Sequence, residues 1–250
     1  MLLTQCAVCA TELGLSLGKK CGRCSTRYCG PECQVQHWKE GGHDTLCKKI
    51  KKAGGAEQYH ADKKCKEAIA VAVENCADDT KGQTCYICLE AVHSQTGEGL
   101  VRGCGCQGAT AYAHISCLVR HMHGWDEIDT DNKMKGFLEP GTNRRDDADK
   151  LEYLQTFLSC KLCKRNYTDV VVEAIGWGIW KMHASKPEGP LYANSLMYLA
   201  LSMKKAGRSK EAVEVIKAAA RAKGLNPDTS IFPGMVARRA AALAAGELGK

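Results

Sequence analysis

GCGCQGATAYAHISC (residues 103–117) sets Cys104 and Cys106 one residue apart and then gives His114 and Cys117 two residues apart. Zinc takes four nitrogen or sulfur ligands in a tetrahedron, so neither pair is a site by itself. Two further pairs flank the stretch, Cys85-x2-Cys88 upstream and Cys160-x2-Cys163 downstream. The order is four cysteines, one histidine and three cysteines. Eight ligands in four pairs satisfy two tetrahedral ions.

The rest of the chain favours metal over disulfide. The sequence has 250 residues and 16 cysteines. Its start, MLLTQCAVCA, lacks the basic residues and long apolar run of a secretory signal. The longest apolar stretch, VVVEAIGWGIW (170–180), is too short to span a bilayer and contains Glu173. The expectation is an intracellular protein, cytoplasmic or nuclear, with no membrane span, where thiols stay reduced and cysteine clusters bind metal. Aromatic residues make up 6% and Phe occurs 3 times, which argues against one large aromatic core. Metal must then supply folding energy, on the order of 10–16 kcal/mol per structural zinc.

A second cluster lies nearer the N-terminus. Its pairs are Cys6-x2-Cys9, Cys21-x2-Cys24, Cys29-x3-Cys33 and His43-x3-Cys47, again eight ligands for two zinc ions. C-x2-C places two thiolates on one side of a tight turn. The x3 pairs suit one helical turn, where residues four apart share a face. YCGPECQVQHWKEGGHDTLC resembles the MYND zinc finger, with an aromatic before Cys29, Gln34 after Cys33, Trp38 four residues later and then the His-x3-Cys pair. The resemblance covers about 6–47 and implies interleaved sites, one of Cys6, Cys9, Cys29 and Cys33, the other of Cys21, Cys24, His43 and Cys47. The gap from Cys24 to Cys29 is one residue short of the usual pattern, and the EGG before His43 is slightly long. His37 competes with His43 as a ligand; without that role it reads as a surface histidine. MYND fingers bind proline-containing peptides, which implies a partner surface at Gln34 and Trp38. Trp38 also reads as filler of a very small core.

CYICLE, GLVRGCGCQGATAYAHISCLVRH and CKLC together resemble the RING-CH finger, the RING variant of a membrane-associated ubiquitin-ligase family. A PHD finger has the same ligand order but places an aromatic two residues before its seventh ligand, where this chain has Leu158. The RING cross-brace implies one zinc at Cys85, Cys88, His114 and Cys117 and another at Cys104, Cys106, Cys160 and Cys163. RING domains recruit a ubiquitin-conjugating enzyme and contribute no catalytic side chain. Ile87 matches the usual groove residue, and Lys164 the place of a cation that braces ubiquitin. His121 stands where these fingers often have Trp, with Trp125 four residues on, and residues 118–159 form a long interval. His121 and His123 read as solvent-facing residues of a helix.

All but two of the cysteines are thereby used. Cys65 and Cys76 remain, on one face of a predicted helix with Ile69 and Val73, and read as buried thiols. The formal charge of +7 suggests an acidic partner. Zinc sites with four thiolates carry −2 and those with three carry −1, so four loaded sites bring the chain to about +1. That balance argues against nucleic acid as a partner, although KKIKK (48–52) retains a local basic run.

From residue 166 onward the cysteines stop and helical patterning takes over near 168–184, 191–206, 208–223 and 235–248. SLMYLALSMKKAGRSKEAVEVIKAAARAKGLNPDTS resembles one tetratricopeptide repeat, with Leu196, Leu199, Ala200 and Met203 facing Ala212, Ile216 and Ala219 across a turn at Gly207. A generic helical hairpin has the same pattern. A single repeat needs a neighbour, and Trp177 and Trp180 offer contact with the RING-like part.

The expected fold class is small zinc-stabilised α+β domains, MYND and RING-like cross-brace, joined to α-helical segments, with a C-terminal TPR-like helical hairpin. The expected division is 1–50 for the first finger, 51–82 for a helical linker, 83–167 for the second finger with a polar insert at 126–150, and 168–250 for the tail. Four zinc ions are the expected cofactors. The leading functional reading is a RING-type ubiquitin ligase with the MYND finger and tail holding partners. A scaffold of the same fold, without ligase activity, and a chromatin-associated factor are the alternatives. No open three-ligand site with a carboxylate base is present, which argues against a zinc hydrolase.

Overall fold

A computed structural model describes residues 6–11, 13, 17–122, 159–186 and 191–222. The N-terminal unit begins with a hairpin of β1 (Lys19–Lys20) and β2 (Arg27–Tyr28), paired antiparallel as Lys19 with Tyr28 and Lys20 with Arg27. Helix α1 (Pro31–Lys39) starts on a proline, whose missing N–H would have no helical partner there. Helix α2 (His43–Lys52) buries His43, Cys47 and Ile50 on one face and leaves Lys48, Lys49, Lys51 and Lys52 exposed. The basic run KKIKK is therefore the solvent face of a helix whose other face carries two of the predicted ligands. The apolar core of this unit is small: Leu13, Tyr28, Ile50, Ala56 and four buried cysteines.

Helix α3 (Ala56–Asn75) leaves that unit and joins a second, larger core. Its start is tied back by the Ala56 N–H, which donates to the Cys24 carbonyl at 2.8 Å. Ala61, Cys65, Ala72 and then Cys76 are buried, with Ile69 and Val73 packed against the same core. Both leftover thiols are thus buried among apolar side chains. The second finger packs on this face. Its chain closes a short bridge between Val101 and Ala113, makes a 3-10 turn at Gly108–Ala111 and continues into α4, helical through residues 115–122. Ile115, Leu118, Val119 and Met122 of α4 point into the core.

The tail supplies the remaining walls. Helices α5 (Asp169–His183), α6 (Tyr192–Lys205) and α7 (Ser209–Ala222) lie within a residue or so of the expected spans; the fourth expected helix, 235–248, lies outside the described residues. α5 runs antiparallel to α3. Gln58 donates to the Lys181 carbonyl at 2.9 Å near one end, and Ala68, Val71, Val170 and Trp177 line a shared cleft near the other. Trp177 and Trp180 are each 1% exposed and share one core with Ile115 and Leu118 of the second finger and Leu196 and Leu199 of α6.

Two glycines explain how one helix serves two neighbours. Gly176 faces Ser202 of α6, and a Cβ at Gly178 would lie 2.7 Å from Val119 of α4. Glycine within a helix costs about 0.5–1 kcal/mol relative to Ala. Here it lets α5 approach α4 on one side and α6 on the other, with Trp177 between. The burial of α6 exceeds the predicted stripe, since every residue from Tyr192 to Met203 is buried. The α6–α7 hairpin turns at Gly207, φ 79°, and Arg208 ties it to α5 through Glu173 and to α7 through Glu211.

Candidate metal centres

Each C-x2-C pair sits on the same turn, built twice in each finger. In the first, the Cys6 N–H donates to the Thr11 carbonyl at 2.9 Å and the Ala10 N–H to the Cys6 carbonyl at 3.1 Å. Cys21 pairs with Thr26 and Ser25, Cys85 with Glu90 and Leu89, and Cys160 with Arg165 and Lys164 in the same way, at 2.8–2.9 Å. The residue after the second cysteine must take a left-handed backbone to close this turn. Ala10, Ser25, Leu89 and Lys164 do so, with φ of 55°, 62°, 64° and 59°. The turn exposes backbone N–H groups to the sulfurs, as where Ile87 N lies 3.4 Å from Cys85 Sγ.

These turns converge with the other pairs into four clusters. They are Cys6, Cys9, Cys29, Cys33; Cys21, Cys24, His43, Cys47; Cys85, Cys88, His114, Cys117; and Cys104, Cys106, Cys160, Cys163. Within each, all ligand atoms lie within 4.8 Å of one another. Tetrahedral zinc with bonds of 2.3 Å to sulfur separates the sulfurs by about 3.8 Å. The closest pairs approach that edge: Cys9 to Cys29 at 3.5 Å, Cys9 to Cys33 at 3.8 Å, Cys21 to Cys47 at 3.9 Å and Cys106 to Cys160 at 3.6 Å. The donor sets fit zinc in number, chemistry and spacing, and each cluster can hold one zinc ion.

The two histidines face their clusters through different nitrogens. His43 presents Nε2 to Cys21 and Cys24, 3.5 Å from each. His114 presents Nδ1 to Cys88 at 3.3 Å and Cys117 at 3.8 Å, while its Nε2 lies 3.4 Å from the Ala91 carbonyl. An Nε2–H donated to that carbonyl leaves Nδ1 free for a metal. Burial lowers the pKa of both rings, favouring the neutral imidazole that ligates.

The sulfurs also point to a cation. The Thr11 hydroxyl, 3.0 Å from Cys9 Sγ, helps to hold that thiol down at about 6, whereas the neighbouring Cys29 sulfur pushes Cys33 up to about 12. Burial pushes Cys47 up to about 11 and also raises Cys104 and Cys117. Crowded thiolates resist ionising together, and a divalent ion removes the conflict. The clusters differ in exposure: Cys9 and Cys29 are exposed, whereas Cys21, Cys24, His43 and Cys47 are all buried.

His37 differs from the expected surface histidine. It is half-buried, its Nδ1 lies 3.0 Å from the Tyr28 hydroxyl, and its ring centre is 4.8 Å from that of His43. It supports the ligand helix and is in none of the four clusters. His121 is exposed on α4 as expected, and His123, Trp125, Leu158 and the insert 126–150 lie outside the described residues.

The predicted partner residues occupy distinct surfaces. On α1, Gln34 is half-buried, Trp38 is 42% exposed and Val35 is 50% exposed. Trp38 is thus open to solvent, with its ring near His43 at 5.7 Å. Ile87 is 37% exposed, and Lys164 is exposed on its left-handed turn. Sequence reasoning missed Leu162, which is 55% exposed. It stands third in CKLC as Ile87 stands third in CYIC, and this equivalence was the available signal. Also missed was Glu98, whose buried carboxylate contacts Ser116, one of the two residues between His114 and Cys117.

Comparison with known families agrees with this geometry. Residues 6–47 match the family model of the MYND finger, and residues 85–132 match that of the RING-variant domain. The second match ends before Cys160 and Cys163, which the fold nevertheless brings to Cys104 and Cys106. Comparisons with curated proteins and with solved structures gave no match. Among the described residues, no helix is long and apolar enough to cross a membrane. The chain carries a MYND finger followed by a RING-variant domain, with four cysteine and cysteine–histidine clusters that can each hold a zinc ion.

Proposed function

We propose that the chain is a RING-type ubiquitin ligase of adaptor design, in which the sixteen clustered side chains bind four zinc ions. The RING-variant part recruits a ubiquitin-conjugating enzyme, and the MYND finger and helical tail hold partners. The observation that carries this reading is the exposure of Ile87 and Leu162, one apolar side chain at the third position of each C-x2-C knuckle of that domain. An exposed apolar residue on a rigid metal turn suits a docking surface. Lys164, exposed beside the last cluster, suits an acidic or hydrogen-bonding surface of ubiquitin. Val35 and Trp38, with Gln34 beside them, suit a proline-containing peptide on the first finger. The proposed domains are 1–50, 51–82, 83–167 and 168–250.

The test is ubiquitin-chain formation by the zinc-loaded chain across a panel of conjugating enzymes, comparing Ile87→Ala and Leu162→Ala with wild type. Loss of chain formation in both, with zinc content unchanged, supports docking through the two knuckles. A second reading, a scaffold without ligase activity, is favoured by His121, which stands exposed where a docking aromatic is expected. Inactivity of the wild-type chain with every enzyme of the panel would favour the scaffold.

A further inference from the structure

The loop between Cys88 and Cys104 holds a buried carboxylate that zinc binding does not use. Residues His93–Glu98 fold back on themselves: the His93 N–H donates to the Glu98 carbonyl at 3.0 Å, and the Gly97 N–H to the His93 carbonyl at 2.8 Å. The Thr96 N–H donates to His93 Nδ1 at 3.3 Å. This turn buries Glu98 to 8% exposure against the first turn of α4. There the Ser116 N–H donates to Oε1 at 2.7 Å and the Ser116 hydroxyl to Oε2 at 3.0 Å. Ser116 lies between His114 and Cys117, two residues of one candidate metal cluster. The His93 ring meets the His114 ring edge-on at 5.3 Å.

A buried carboxylate is costly unless its oxygens are satisfied. It also lies close to a cluster that would carry a net negative charge when loaded, which is an unfavourable place for another anion. Its retention there is explained by what it holds. Both oxygens accept from one residue, and the helix N-terminus favours the charge. The two bonds fix the backbone between His114 and Cys117, while the Ala91 carbonyl and the His93 ring fix the plane of His114.

We infer that Glu98 is a positioning residue for the metal cluster of Cys85, Cys88, His114 and Cys117, acting through Ser116, so that Nδ1 and Sγ converge before metal arrives. The inference rests on the four-zinc reading. Residues that hold a ligand-bearing segment in place without touching the metal typically change metal affinity by about 10- to 100-fold.

The experiment loads the full-length chain with cadmium-113 and records its NMR spectrum, then measures release to a competing chelator. Four resonances in the wild type, two from three-sulfur, one-nitrogen sites and two from four-sulfur sites, establish the underlying reading separately; fewer would remove it. Glu98→Ala is expected to shift one three-sulfur resonance and weaken that site about 10- to 100-fold, with the other three sites unmoved. Glu98→Gln, whose amide can accept from the Ser116 N–H and donate to its hydroxyl, is expected to restore most of the affinity. Ser116→Ala, which removes only the hydroxyl bond, should fall between. An unmoved resonance in Glu98→Ala would overturn the inference. So would equal loss of both RING-variant sites in Glu98→Ala and Ser116→Ala, since that reports a general folding role.

Discussion

Leu89 and Lys164 hold the same left-handed backbone, φ 64° and 59°, at the same step of two cysteine turns that the sequence separates widely. Each follows the second cysteine of its pair, and each sends its N–H back to the carbonyl of the first, at 2.8 and 2.9 Å. Leu89 is 75% exposed, so its side chain contributes little packing at that place.

A left-handed backbone costs a residue with a Cβ roughly 1–2 kcal/mol. Glycine avoids that cost but adds chain freedom worth roughly 0.5–1 kcal/mol. Leu89→Gly should therefore stabilise the zinc-loaded protein by about 0.5 kcal/mol, and Leu89→Val should destabilise it. Urea midpoints of the two variants check the sign. Lys164→Gly separates backbone from charge: it should keep the fold and the zinc, and lose ubiquitin transfer if the ammonium takes part.

The Gly178–Val119 contact gives a second prediction. Gly178→Ala gains helix propensity of about 1 kcal/mol but forces a methyl to within 2.7 Å of Val119. Overpacking of this kind costs about 1–3 kcal/mol, so the variant should be less stable than wild type. Val119→Ala in the same chain should return part of the loss. A double-mutant cycle by chemical denaturation reads the coupling, and simple additivity would show that the two residues do not compete for space.

Removal of one far ligand should have a local metal effect and a wider structural one. Cys160→Ser is expected to lower metal analysis from four zinc ions to three. Cys160 also anchors the turn before Tyr167, which is 5% exposed and leads into α5. Amide exchange should therefore quicken at the start of α5 and remain unchanged in α1 and α2.

His43 and His114 set a pH limit. Burial depresses both folded pKa values, so below about pH 6.5 the unfolded chain takes up protons that the folded chain refuses. The stability associated with these two groups is complete above that pH and is lost as pH falls toward the depressed folded values. Protons also displace zinc from thiolates, in the same direction. Denaturation midpoints should fall between pH 7.5 and pH 5.5, and His43→Ala with its one empty site should show a shallower decline.

The cysteine pairs were legible because ligand chemistry demands discrete spacings. His43 could be ranked above His37 because His43-x3-Cys47 forms a pair of its own, whereas the cysteine four residues before His37, Cys33, is already paired with Cys29. The support role of His37 could not be read, because Tyr28 lies on the strand before α1 and meets it by tertiary packing rather than at a helical spacing. The tail helices were legible from periodicity, but the complete burial of α6 was not. Asn194 and Ser195 look like solvent residues in sequence, yet they are 6% and 1% exposed. Gly176 and Gly178 look like helix breakers until α4 and α6 are placed against them. Glu98 escaped notice because its partner, Ser116, lies across a loop whose path no local pattern specifies.

The join of Cys106 to Cys160, 3.6 Å apart across a sequence separation of 54, bears on how this protein tolerates change. A bridge between Ser159 and Asn166 and the turn at Cys160 fix where the chain re-enters. The closing cost of an interval pinned at both ends rises only by about 0.6 kcal/mol for each doubling of its length. Because Cys160 and Cys163 are held by their own turn and by Cys106, a reporter peptide or a sensor cassette grafted between residues 126 and 150 should leave all four metal sites in register.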